Sequence, residues 1–61
     1  MTTYDPALAA VNEVRRVAGE AGVLEEYLAE CSAYETLHPG FTPTISQRWE
    51  IVSRLAIMKG G

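Results

Sequence analysis

Apolar residues recur at helical spacing in three separate stretches of this chain, each bounded by a start or stop signal. In the first, Tyr4, Ala7, Leu8, Ala10, Val11, Val14, Val17, Ala18 and Ala21 share one half of a helical wheel. Ala9, Asn12, Glu13, Arg16 and Glu20 fill the other half, which is the signature of an amphipathic helix. Asp5 stands where an N-cap is needed, and Pro6 follows at the first helical position, where a missing N–H costs nothing. Gly19 and Gly22 bracket the sequence GEAG, which predicts a break. A single long helix bent at this point is the alternative.

The second stretch collects Leu24, Tyr27, Leu28, Cys31 and Tyr34 on one arc, opposite Glu25, Glu26, Glu30 and two alanines. Glutamates in a first turn suit the helix dipole. HPGFTPT at 38–44 forbids continuation through its two prolines and glycine. Phe41 within it is expected to anchor the link by packing back onto the bundle. Thr44 and Gln47 make a capping box for a third helix, with Thr42 before Pro43 a rival start. The third apolar arc holds Ile45, Trp49, Ile51, Val52, Leu55, Ala56 and Met58, and the glycines at 60 and 61 end the pattern. Together these features predict an all-α fold: a compact three-helix mini-domain with helices about 6–19, 23–36 and 45–58, bundle-like and antiparallel, forming one domain over 1–61.

Size then changes the picture. A chain of 61 residues buries only about 60% of the surface it exposes when unfolded, so small domains lean on disulfides, metals or association. One cysteine makes no internal disulfide, and Cys31 with His38 cannot fill a four-ligand zinc site. Association remains, with a protein partner or as a homo-oligomer, a dimer foremost. The apolar content of 48% is too high for a disordered tail. No apolar run reaches the ~18 residues of a membrane span, and MTTYDPA lacks the regions of a signal peptide. A soluble cytoplasmic protein is expected.

Charge is distributed unevenly. Residues 1–21 sum to −1 (Asp5, Glu13, Glu20 against Arg15, Arg16), and residues 22–37 to −4 (Glu25, Glu26, Glu30, Glu35). Residues 38–61 sum to +2 (Arg48, Arg54, Lys59 against Glu50). A nucleic-acid binder shows a basic face, and the acidic middle argues against one.

Some residues break the pattern. Arg48 falls within the third apolar arc and Glu35 within the second. Antiparallel neighbours would bring them together, which predicts a partly shielded Arg48–Glu35 ion pair that fixes register more than it stabilises. The alternatives are that Arg48 lays its stem on the core with its head in water, or that it meets a carboxylate of another chain. Leu37 and Ile57 fall on polar arcs, and Trp49 and Met58 lie at arc edges. The apolar surface therefore exceeds what three helices can hide, and Trp, Met and Arg are types enriched at protein interfaces. The expected contact surface is Trp49, Val52, Ile57, Met58, Leu37 and Arg48, flanked by Glu25, Glu26 and Glu30.

Catalytic chemistry finds little support. Cys31 sits on an apolar arc, the setting of a small core residue, and the glutamates lie on an open face where nothing would desolvate them. No cofactor or metal site is expected. Val17-Ala18-Gly19-Glu20-Ala21-Gly22-Val23, followed by Leu28 and Cys31, resembles the helix-turn-helix core of the LacI-type repressors. The resemblance covers about fifteen residues and implies a helix–turn–helix bend. The surface it would present to DNA is Leu24, Glu25, Glu26, Ala29 and Glu30, whereas base and phosphate contacts call for Arg, Lys, Asn, Gln or Ser. The leading expectation is a non-catalytic interaction module, in the format of accessory or inhibitor proteins including those of phages and mobile elements. The alternative is a small helix-turn-helix DNA-binding regulator.

Overall fold

A computed structural model describes residues 4–60. It contains α1 (Pro6–Glu20), α2 (Leu24–Leu37) and α3 (Ile45–Gly60) and, among the described residues, no strand. The all-α three-helix expectation holds, with helix ends displaced by one or two residues. The largest extension is in α3, which runs on through Gly60; the glycine at 61 lies outside the described residues.

Each boundary has a local cause. Asp5 Oδ1 accepts from the backbone N–H groups of Ala7 and Leu8 at 3.0 and 3.3 Å, satisfying two donors that the helix leaves open. At the far end α1 passes Gly19 and stops at a Schellman turn. The Val23 N–H donates to the Ala18 carbonyl at 2.9 Å and the Gly22 N–H to that of Gly19 at 3.1 Å. Gly22 sits at φ 75°, in the left-handed region that glycine enters without steric cost. Val23 and Ala18, which bracket the motif, are both buried. The two helices are therefore separate.

The α2–α3 link turns at Pro39–Gly40, with the His38 carbonyl accepting from the Phe41 N–H at 3.0 Å and Gly40 at φ 88°, as a type II turn requires. This turn directs Phe41 outward, 69% exposed, so Phe41 is not the anchor of the link. Pro43 is buried instead. The capping box forms as expected: Thr44 Oγ1 accepts from the Gln47 N–H at 3.1 Å, and Gln47 Oε1 accepts from the Thr44 N–H at 2.8 Å.

Val14 and Ala18 of α1, Val23, Tyr27 and Cys31 around α2, and Val52 of α3 form the core, with Val17, Leu24, Trp49, Ile51 and Leu55 packed against it. Helices α2 and α3 run antiparallel. The Lys59 ammonium donates to the Gly22 carbonyl, which places the end of α3 at the α1–α2 turn, so α1 and α3 run parallel. The radius of gyration is 12.4 Å, above the roughly 10.5 Å of a globular chain this long. The molecule is elongated: the chain extends 44 Å along its long axis, while its longest helix spans only about 24 Å. Tyr4 and Leu8, at the start of α1, are 76% and 57% exposed.

Candidate docking face

The deepest polar feature is the seat of Arg48. Its Nη1 donates to the Tyr27 hydroxyl at 3.0 Å, and its Nε donates to the Pro43 carbonyl at 3.2 Å. Nη1 also lies 3.6 Å from Cys31 Sγ. The expected Arg48–Glu35 pair does not form. Tyr27 is completely buried, and its phenol would carry an unpaired oxygen into the core without this donor. Glu35, one turn beyond Cys31, is exposed. Arg48 is thus an internal strut of the fold, half-buried between α2 and the Pro43 link.

The face of α2–α3 opposite α1 is the part of the fold left uncovered. A groove of about 490 Å³ runs along it, lined by Glu30, Ala33, Tyr34 and Leu37 from α2 and by Gln47, Glu50, Ile51 and Arg54 from α3. Its apolar lining is Ala33, Tyr34, Leu37 and Ile51. One end is closed by an ion pair between Arg54 and Glu30. Gln47 is already committed to its capping box, and Glu50 is exposed with no ion-pair partner among the described residues. Glu26, one turn before Glu30 on the same side of α2, lies past this end of the groove and is exposed.

The residues expected to form a contact surface separate into two sets. Leu37, Ile57 and Met58 are 76%, 73% and 70% exposed. Met58 continues the groove side of α3 one turn beyond Arg54, whereas Ile57 lies about 100° further round the helix and is isolated. Trp49 is half-buried against the core. Val52, at 3% exposure, belongs to the core, where no partner can reach it, and Arg48 is turned inward. The acidic flank divides likewise: Glu25 and Glu26 are exposed, while Glu30 is half-buried and carries Arg54 as counter-ion.

The groove itself was missed by reasoning one helix at a time. Ala33, Tyr34, Ile51 and Glu50 form a site only once α2 and α3 are aligned antiparallel. The one available signal was Leu37 on a polar arc, because an apolar residue there implies a second apolar edge beside the core stripe.

Among the described residues no three potential ligands cluster for a metal ion, and no helix is long and apolar enough to cross a membrane. Cys31 is buried beside Arg48, and the ring of His38 stacks at 4.6 Å on that of Tyr34. The cysteine and the histidine do not form a nucleophile–base pair. On the outer face of α1, Arg16 bridges Glu13 and Glu20, the latter at 2.8 Å. The hydrogen bond from Arg16, aided by its charge, holds the Glu13 carboxyl below its ordinary value. The same contact raises Arg16. No protein-family model, no curated protein and no solved structure matches this chain.

Proposed function

We propose that this chain is a non-catalytic docking module that receives a protein partner in the α2–α3 groove. The observation that carries the reading is the apolar groove lining, where Leu37 stays 76% exposed beside Ala33, Tyr34 and Ile51. Contiguous apolar surface rimmed by polar groups marks an interaction site more often than a solvated face. An accessory or inhibitor-type role suits so small a unit, as for small proteins carried by phages and mobile elements, and the free Cys31 suits the reducing cytoplasm. The helix-turn-helix regulator keeps the α1–α2 bend but would set Glu25 and Glu26 against phosphates, so the docking module is preferred.

The test is site-specific photo-crosslinking in the cell that makes the protein. A photoreactive residue at position 37 should capture one discrete protein, and the same residue at position 12 on α1 should not. Ala33→Arg, which fills the groove from an exposed position, should abolish the adduct. Equal capture from both positions, or none from position 37, would refute the docking role.

A further inference from the structure

We infer that the occupant of this groove is an amphipathic helix of another protein, with a short apolar stripe flanked by lysine or arginine. The inference rests on the docking reading and adds the chemistry of the partner. The shape argument comes from the chain itself. Helices α2 and α3 form an antiparallel pair, and α1 already lies against one side, inserting Val14 and Ala18 among Tyr27, Cys31 and Val52. The groove is the equivalent seam on the other side and contains no residue of α1. A fourth helix there would complete a four-helix arrangement. Ala33 in its lining is small enough to let another backbone approach closely. No sheet edge is present among the described residues to receive an extended segment, which leaves helix-in-groove recognition.

The charge argument selects the flanks. Glu30 and Glu50 line the groove with the single guanidinium of Arg54, which is already committed to Glu30. The exposed Glu26 lies one turn beyond the groove's end on the same side of α2. Two carboxylates carry no ion-pair partner among the described residues, Glu50 on the α3 wall and Glu26 just past the groove's end on α2. Both would meet basic residues flanking the apolar stripe of a helix long enough to pass the Arg54–Glu30 pair. A second copy of this chain fits poorly. Each copy carries −3 overall, and the segment it could offer, residues 4–20 with exposed Tyr4 and Leu8, carries three acids (Asp5, Glu13, Glu20) against two bases, with no basic excess to meet the groove carboxylates. Nucleic acid would meet the same carboxylates with its phosphates.

The test uses two synthetic 16-residue helical peptides that share leucines at i, i+4, i+7 and i+11. One carries lysine and arginine at its flanking positions and the other glutamate. Each is titrated into the full isotope-labelled chain and followed by amide chemical shifts. The basic peptide should move Ala33, Leu37 and Ile51 and weaken as salt is raised. The acidic peptide should bind about tenfold more weakly, the combined effect of two exposed charge contacts each worth a few-fold. Glu26→Lys with Glu50→Lys, both at exposed positions, should invert that preference with the helical spectrum unchanged. Equal binding of the two peptides, an order unchanged in the double variant, or shifts elsewhere would overturn the inference. If the same groove resonances move with protein concentration alone, the occupant is a second copy and the inference fails. If neither peptide binds, the partner chemistry fails, while the crosslink from position 37 decides the docking role separately.

Discussion

Tyr27 and Arg48 should stabilise the fold as a coupled pair, and a double-mutant cycle can measure the coupling. Tyr27→Phe keeps the ring and removes the hydroxyl that accepts from Arg48 Nη1 at 3.0 Å. Arg48 retains the Pro43 carbonyl and is only half-buried, so the loss should be about 1 kcal/mol, within the range for one net hydrogen bond. Arg48→Met is more severe. Tyr27 has no exposed surface, and stranding its hydroxyl should cost about 2 kcal/mol. With both changes made, the stranded hydroxyl is gone. The loss of the Arg48 donor to the Pro43 carbonyl is common to the Arg48→Met single and the double variant and cancels in the cycle, so the double variant should recover roughly 1 kcal/mol relative to the sum of the singles. The assay is urea and thermal unfolding followed by helical circular dichroism, where each kcal/mol moves the midpoint of so small a domain by about 4–8 °C. Glu35→Gln is the control and should leave the midpoint unchanged. Strict additivity of Tyr27→Phe and Arg48→Met would refute the pairing, and a large loss from Glu35→Gln would restore the ion pair expected from helical periodicity.

Three further outcomes are expected. Gly19, a helical position whose added Cβ would meet nothing within 4 Å, should accept alanine with a gain of about 0.5–1 kcal/mol. Gly22→Ala forces φ 75° on a residue with a side chain and should lose about 1–2 kcal/mol; equal effects at the two sites by thermal unfolding would contradict the Schellman turn. Val52→Ala should cost about 2 kcal/mol through the cavity it leaves, while Leu37→Ser should stay within about 0.5 kcal/mol; comparable losses in urea unfolding would place Leu37 in the core. The Glu13 carboxyl is held below its ordinary 4.5, so its contribution is present above that pH and is lost as pH falls through its lowered folded value. The difference in melting temperature between wild type and Glu13→Gln should therefore be flat from neutrality to about pH 4.5 and shrink below it, a trend the opposite slope would disprove.

Local chemistry made the helices and most of their ends legible. Asp5, Pro6, Thr44, Gln47 and Gly22 act on neighbours within a few residues, and those neighbours are visible in the chain itself. Periodicity likewise placed Val14, Ala18, Tyr27, Cys31 and Val52 on inward arcs. What it could not supply was the rotation and axial offset of one helix against the next. Arg48 was correctly placed on an inward arc, but its partner depended on how far a long side chain reaches across α2, and Tyr27 lies deeper in that direction than Glu35. The Arg54–Glu30 pair and the groove beside it depend on the same offset. Phe41 illustrates a different limit: a type II turn sets where its third and fourth residues point, and a large aromatic there follows the backbone outward despite its apolar character.

An odd number of alternating helices has a topological consequence. Because the Lys59 contact at Gly22 seats the last turn of α3 by the first bend, α1 begins at one end of the bundle and α3 finishes at the other. A linker joining those ends would have to run back past a helix about 24 Å long, so circular permutation is awkward here. Used instead as a spacer, the unit would hold two fused cargoes well apart and leave the flank between them open to solvent.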